Sequence, residues 1–322
     1  MACGILLIHK ESGPTSFDLV ARLRRLYQVR RVGHAGTLDP FATGLLVVCL
    51  GRATAVIRYM EDYDKRYLAT LRLGRTTTSQ DLTGETTGGR PPTASELEEL
   101  LADGGRALHE AISAQQGEVW QLPPLHSAIK LQGRPLYSYA HRGEEPEREA
   151  YEAKRRLVTV HEAGLVGWRR TLDPEEPLEV QVAYHVSKGT YVRTLVHDLG
   201  QRLGFGAYCL ALERTAVGPF RGGLPLDTVA REVAAGRGQD LLLDMERALT
   251  HLPVIELSFE QGRRIANGQT LPVSRLLPDT GDGQAKRVQM RDPLGLVGVG
   301  MLTRGAGETP ILRAERILAA RG

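Results

Sequence analysis

Cysteine is scarce in this 322-residue chain. Cys3, Cys49 and Cys209 are the full complement, odd in number and far apart, with no CxxC pair. That pattern excludes a disulfide scaffold and a zinc ribbon and fits a reducing, cytoplasmic setting. Aromatic residues make up only 5% of the chain, which leaves little general stacking surface. Long apolar runs are absent too: Leu45–Leu50 is strand-length, so the sequence offers no membrane span. The N-terminal stretch lacks the basic region and apolar length of a secretory signal. There is no GxxxxGK[ST] loop, no complete GxGxxG fingerprint, no GxSxG elbow, and no HExxH or Cys/His cluster among the nine histidines. Nucleotide-fuelled, dinucleotide-dependent, serine-hydrolase and metal-dependent chemistry therefore all lack a warrant. Most common enzyme classes thus lose their sequence warrant.

Charge of one sign is also nearly missing, with 41 basic against 38 acidic side chains, a net of +3. The distribution is uneven. Residues 1–75 hold twelve Lys or Arg and six Asp or Glu, so this segment alone carries +6. Such a local field can steer a polyanion. Glycine is plentiful, 36 of 322, or about 11% against a usual level of about 7%. Length and composition describe a soluble globular chain of about two domains.

The pattern of residues predicts a mixed fold. Strands are expected at Gly4–His9, Leu45–Leu50, the Tyr67-Ala69-Leu71-Leu73 face, Leu157–Trp168 and Leu178–Val186. A helix should start at Thr15, which stands three residues before Asp18 in capping-box spacing. Further helices are expected at Ser95–Ala102, Leu108–Ser113, Thr190–Leu203 and, as a helical pattern, over 226–249. Without a regular βαβ rhythm, the class is α+β rather than doubly wound. Gln121–Glu149, opening on Pro123-Pro124 and closing on a charged run, reads as an inserted lobe. A domain boundary is placed near 250, with 251–322 as a small β module.

Chemistry concentrates in Arg30–Gly44. Three glycines there permit unusual dihedrals and close backbone approach. Asp39 precedes a proline, which disfavours helix and makes its carboxylate project from a stiff turn. Basic neighbours and His34 should keep it ionised, fit to act as nucleophile or base. Most Asp-Pro pairs are plain turns, and Asp173-Pro174 and Asp292-Pro293, which lack this context, serve as internal controls. Arg193 falls in the first turn of a helix, where the dipole disfavours a cation, so a buried carboxylate partner is expected. Asp64-Lys65-Arg66-Tyr67 leads a basic stretch into a strand; a tyrosine there is ordinarily a core residue.

Taken together and in order, these segments resemble the TruB family of bacterial tRNA pseudouridine-55 synthases. The likeness rests on Gly33-His34-Ala35-Gly36-Thr37-Leu38-Asp39-Pro40 with Ala42-Thr43-Gly44, on Asp64–Tyr67, and on Ser187-Lys188-Gly189-Thr190-Tyr191-Val192-Arg193-Thr194. Leu73-Gly74 through Asp81 and Gly84, Pro123-Pro124 with Ser127-Ala128 and Lys130, and Gly204 with Gly206-Ala207 support it. The chain departs from the family at Glu11, where proline is usual after Lys10, and at Glu213, where a paired arginine is usual.

The resemblance implies a mainly antiparallel central sheet flanked by helices (residues 1–250) and a PUA-like C-terminal β domain (251–322). It implies that 121–149 is an RNA-binding thumb. The activity implied is isomerisation of uridine 55 in the T arm of tRNA, by base flipping and covalent catalysis, without cofactor or metal. Asp39 matches the catalytic aspartate, Arg193 the arginine paired with it, and Tyr67 the tyrosine that stacks on the flipped base. His34 matches a histidine that enters the T loop, and Tyr191 a pocket residue. Lys10, Gly36, Lys65, Lys130 and Lys188 are the further substrate-binding candidates. The partner implied is tRNA, with a monomer sufficient. Two alternatives remain at this level: a non-catalytic RNA-binding protein on the same scaffold, and a hydrolase using Asp39 as base.

Overall fold

The computed structural model describes residues 2–127, 129–140, 142–273, 285–303 and 309–319. Ala128, one of the residues carrying the resemblance, lies outside them, as do parts of the 251–322 module. A ten-stranded mixed sheet forms the larger unit. Its first strand, β1 (Gly4–Lys10), pairs antiparallel with β3 (Thr43–Leu50), and β2 (Val32–His34) adds to the same β3. β3 meets β8 (Ala207–Val217) in parallel, and β8 pairs antiparallel with β4 (Lys65–Leu73). Beyond β4 the sheet continues antiparallel through β7 (Leu178–Val186), β6 (Arg156–Arg170) and β5 (Gly117–Gln121).

Local chemistry accounts for the main helices. α1 (Ser16–Leu26) begins with the expected box: the Asp18 amide donates to Thr15 Oγ1 at 3.1 Å, and the Thr15 amide donates to Asp18 Oδ2 at 2.9 Å. Its buried stripe is Leu19, Val20 and Leu23, packed on β1 and β3. α2 (Ala94–Ser113) joins the two expected helices across a kink. Ala102 to Gly105 leave helical dihedrals there, and a Cβ on Gly105 would lie 2.9 Å from the Trp168 ring. α3 (Val192–Leu203) starts two residues later than the sequence pattern, because Thr190 and Tyr191 remain outside the helix and Tyr191 is its N-cap. Leu195, Val196 and Leu199 bury against β4, β7 and β8.

One expectation is corrected. The helical pattern of 226–249 gives only α4 (Leu226–Ala234), followed by single 3₁₀ turns at Gly238–Leu241 and Met245–Ala248. Gly236 adopts φ +78° just past the helix end, a left-handed conformation that stops it.

A second sheet of five strands follows. It contains β9 (Val254–Glu256), β10 (Lys286–Asp292), β11 (Gly295–Thr303) and β12 (Ile311–Ile317), with α5 (Phe259–Ala266) packed on it. Val299 and Leu318 of this unit share an apolar cluster with Ile5, Val47 and Val56 of the first. No helix among the described residues is long and apolar enough to cross a membrane.

Candidate active site

Asp39 sits in the loop between β2 and β3. The backbone carbonyls of Gly36, Thr37, Leu38, Pro40 and Ala42 are occupied from neighbouring elements. Arg214, on β8 and 2% exposed, donates to Gly36 O (3.0 Å), Thr37 O (3.2 Å) and Leu45 O (2.8 Å). Ser16 Oγ, at the start of α1, accepts from the Leu38 amide at 2.9 Å and donates back to Leu38 O at 3.3 Å. The Gly13 amide donates to Pro40 O at 2.8 Å. Lys10 Nζ, fully buried, donates to Pro40 O (2.9 Å), Ala42 O (2.7 Å) and Glu11 O (3.0 Å). Charged donors make stronger hydrogen bonds than neutral ones, so these contacts fix the loop in one conformation. Gly44 closes it at φ +97°, where a Cβ would fall 2.4 Å from Arg214 O. Gly36 (φ +99°) provides the other left-handed bend.

The Asp39 side chain, 35% exposed, faces Arg193, which is 3% exposed. Arg193 Nε lies 2.9 Å from Asp39 Oδ2, and Nη2 donates to Oδ1 at 3.3 Å. Asp39 is thus a partly exposed partner, and the buried carboxylate expected for Arg193 is a second one, Asp81. Arg193 Nη1 donates to Asp81 Oδ2 at 3.1 Å and to Ser79 O at 2.6 Å, while Nη2 also reaches His126 O at 3.0 Å. Asp81 is itself held by Ser79 Oγ (2.7 Å), the Thr83 amide (2.9 Å) and Thr83 Oγ1 (2.6 Å). This network explains how a cation persists in the first turn of a helix.

The electrostatics differ from the sequence expectation in one respect. Burial is the largest influence on Asp39 and pushes its carboxyl above the ordinary value. Arg193 opposes this, Asp81 reinforces it, and Lys10 pulls weakly downward. Basic neighbours thus moderate the shift without reversing it. Burial also lowers Lys10, to about 8, with Asp39 acting against that shift. His34 is lowered by burial and by Arg214, which favours a neutral imidazole at neutral pH.

The other candidates divide into two groups. Tyr67, on β4 opposite Tyr184 and Arg214, packs on the cluster that includes Leu38 and Ala42, the residues flanking the Asp39-Pro40 turn. Tyr191 is clamped through its backbone: its amide donates to Gln121 Oε1 at 3.0 Å and its carbonyl accepts from Gln121 Nε2 at 3.2 Å. Arg156 lies over its ring at 4.6 Å. The lysines are less uniform. Lys10 is corrected from a substrate contact to a buried support of the loop, since its three donors are spent on carbonyls. Lys65 donates to the carbonyls of Glu61 (3.1 Å) and Tyr63, and burial lowers it to about 8. Lys188 pairs with Asp62. Lys130 stands exposed on a two-residue strand of the inserted lobe.

Much of the +6 segment is spent inside the protein. Seven of its twelve basic residues are engaged: Lys10, Lys65 and Arg52 on carbonyls, and Arg58, Arg66, Arg72 and Arg75 on carboxylates. Arg22, Arg24, Arg25, Arg30 and Arg31 remain exposed and form no ion pair among the described residues. Sequence reasoning missed Arg214 and Asp81 as positioning residues. Asp81 stood inside a matched stretch, but nothing in its local context marked it. The two control pairs are turns: Asp173 O accepts from the Glu176 amide at 3.2 Å, and Asp292 Oδ1 from the Leu294 amide at 2.9 Å.

The sheet thus carries a partly open carboxylate paired with a buried arginine, with a small β unit appended. Solved structures agree on the fold. The chain matches one in a Cbf5-Nop10-Gar1 complex with TM-score 0.69, at 23% identity over 98% of this chain and 85% of that one. It matches one in an archaeal box H/ACA sRNP Nop10-Cbf5 complex with TM-score 0.67 at 22% identity, covering 98% and 86%. Residues 24–192 match the N-terminal domain of TruB family pseudouridylate synthase, and 193–250 match the tRNA pseudouridylate synthase B C-terminal domain. Proteins named tRNA pseudouridine synthase B are similar along most of the chain. The Cupriavidus pinatubonensis protein is 38% identical, covering 98% of this chain and 94% of its own. The Thermobifida fusca protein is 39% identical, covering 87% and 92%. The chain belongs to the TruB family of pseudouridylate synthases, and it is an isomerase.

Proposed function

We propose that this enzyme converts uridine 55 in the T loop of tRNA to pseudouridine, with Asp39 as covalent nucleophile. The observation that carries the reading is the Asp39 carboxylate: partly open to solvent, gripped by buried Arg193, and mounted on a loop held through five of its carbonyls by Arg214, Ser16, Gly13 and Lys10. In the reaction the C1′–N1 bond breaks, the uracil turns, and C1′–C5 forms. The C5 hydrogen leaves to solvent and N1 regains a proton, so nothing is consumed. Asp39 bonds the target nucleotide and is released at the end. Arg193 orients it. Tyr67 stacks on the flipped base and assists proton removal from C5.

Removing a base from its stack costs a few kcal/mol, and one aromatic partner returns about 1–3 kcal/mol. A neutral His34 suits the vacated space, since an uncharged ring enters a stack without desolvating a charge. Arg22, Arg24, Arg25, Arg30 and Arg31 supply phosphate contacts together with Lys130 and Lys188. Residues 1–250 act as the catalytic domain, 121–149 as a thumb closing on RNA, and 251–322 as a PUA-like domain engaging tRNA. The enzyme works in the cytoplasm as a monomer.

The test uses T-arm RNA tritiated at uracil C5. Wild-type protein should release tritium, while Asp39→Asn should bind the RNA and release essentially none. Release at the wild-type rate by Asp39→Asn would remove the nucleophile assignment. Binding by wild type without any release would favour the alternative of a pure RNA binder.

A further inference from the structure

Three strands bring together a group of side chains that the chemistry at Asp39 leaves unused. Asp64 immediately precedes β4, His161 lies on β6 and His185 on β7. Their ligand atoms all lie within 4.8 Å of one another. Asp64 Oδ2 is 3.3 Å from His161 Nε2 and 3.8 Å from His185 Nε2. The two imidazoles face each other with centroids 4.8 Å apart, tilted by 45°. A β-bulge produces this arrangement. Val160 pairs with Val186 and Glu162 with His185, so His161 is the extra residue between them. A bulge re-aims a side chain that regular alternation would send elsewhere. Arg66 and His185 are opposite each other on the face away from Tyr67 and Tyr184. The cluster is therefore separate from the Asp39 centre.

We propose that Asp64, His161 and His185 form a binding site for a divalent transition-metal ion of the Zn²⁺ type. Two imidazole nitrogens and one carboxylate oxygen select such an ion over Ca²⁺ or Mg²⁺, which take oxygen ligands. With metal–ligand bonds of about 2.0–2.1 Å, tetrahedral ligands stand about 3.3–3.4 Å apart. The Asp64–His161 separation of 3.3 Å already meets that spacing, and the Asp64–His185 separation of 3.8 Å needs only a small closure. All three side chains are partly exposed, which leaves the fourth position open to water.

A ligating histidine usually donates its other ring N–H to a carboxylate or carbonyl. Here Arg66 Nη2 lies 3.2 Å from His185 Nδ1, and Glu162 Oε1 is 3.8 Å away, beyond hydrogen-bond reach. Arginine only donates, so in this arrangement Nδ1 accepts and Nε2 carries the ring proton. Arg66 also holds Glu162 Oε2 through Nη1 at 2.8 Å. Binding of the ion at Nε2 therefore requires the proton to move to Nδ1, with Arg66 leaving His185 for Glu162 and Glu162 closing on Nδ1. The ion would tie β4, β7 and β6 across three adjacent strands.

The test takes the full chain, stripped with a chelator and dialysed, and titrates it with ZnCl₂ by calorimetry. One ion per chain is expected, and the thermal midpoint should rise by a few degrees when Zn²⁺ is in excess. Co²⁺ should give a visible absorption band. His161→Gln, an exposed change on a bulge, should remove the band and weaken Zn²⁺ binding by about a hundredfold or more. Glu162→Gln should weaken it by about tenfold. Tritium release by His161→Gln should stay at the wild-type level. Failure of wild type to take up Zn²⁺ would overturn the proposal, as would uptake by His161→Gln with wild-type affinity.

Discussion

The Asp39 loop and the inserted lobe are both irregular segments rich in turn residues, yet they are built in opposite ways. The loop owes its shape to buried cations and polar groups that reach its carbonyls from β1, α1 and β8. The lobe relies on a small core of its own, Leu131, Leu136 and Tyr139, covered by Leu125, Ile129 and Tyr151. Tyr151 Oη donates to Pro123 O at 2.7 Å and ties the two ends of the lobe together. Its polar contacts with the main body include His126 O accepting from Arg193 and Gln121 bonded to the Tyr191 backbone. One segment is held by the rest of the molecule, the other largely by its own side chains, and the proposed roles of nucleophile mount and RNA-binding thumb suit that difference.

The largest effect that could break this contrast comes from Arg214→Met. Its guanidinium holds three carbonyls in a dry setting, so its loss should cost about 3 kcal/mol or more. Displacement of Asp39 should lower kcat by about a hundredfold. Denaturant unfolding and single-turnover tritium release measure the two. A variant of normal activity would show that the loop keeps its shape without the clamp. Leu136→Ala comes next. Removing a fully buried side chain costs about 2–3 kcal/mol, but here the cost should stay local. Hydrogen exchange should quicken over 122–151 with the sheet unaffected, and KM should rise while kcat holds. A matching fall in global stability would mean that the lobe is part of the main cooperative unit.

A subtler effect concerns Lys10, lowered to about 8 from an ordinary 10.5. Below about pH 8 the folded and unfolded chains both keep this proton, so the difference between them is constant. Between about 8 and 10.5 the folded form loses it first and stability rises with pH. A neutral amine has only two N–H groups for three carbonyls, however, so activity should decline over the same range. Lys10→Met should lack both trends, as midpoints and turnover measured against pH would reveal. The smallest effect is on the stability of Asp39→Asn. The raised carboxyl of Asp39 makes its ionised form a liability to folding that grows as pH climbs from the ordinary carboxylate range through the raised value. The amide should therefore match or slightly exceed wild type in thermal midpoint at neutral pH, despite being inactive. A clear drop would show that the charge pair with Arg193 outweighs the desolvation of Asp39.

Features set by neighbours in sequence were readable in advance. The Thr15–Asp18 box, the alternation of Val180, Val182, Tyr184 and Val186, and the stripe along α3 depend on spacings of a few residues. The need of Arg193 for a carboxylate was legible because a helix dipole is a local property. Its actual anchor, Asp81, was not, since only folding brings residues 81 and 193 together. Arg214 was hidden for the same reason, 178 positions from the carbonyl of Gly36. Lys10 misled because a lysine ordinarily reads as surface charge, and its burial follows only once β1 lies under the loop. The Asp64–His161–His185 group needed a one-residue bulge that no periodicity announces.

The carbonyl-based hold on the Asp39 loop has an evolutionary consequence. Every residue type carries the same backbone oxygen, so the grip of Arg214 and Lys10 is blind to the side chains at Thr37 and Ala42. Such positions can drift to suit a different RNA contour without loosening that grip. Selection can thus retune what the enzyme accepts while leaving how it reacts untouched, and the burden of invariance shifts to the hidden cations beneath.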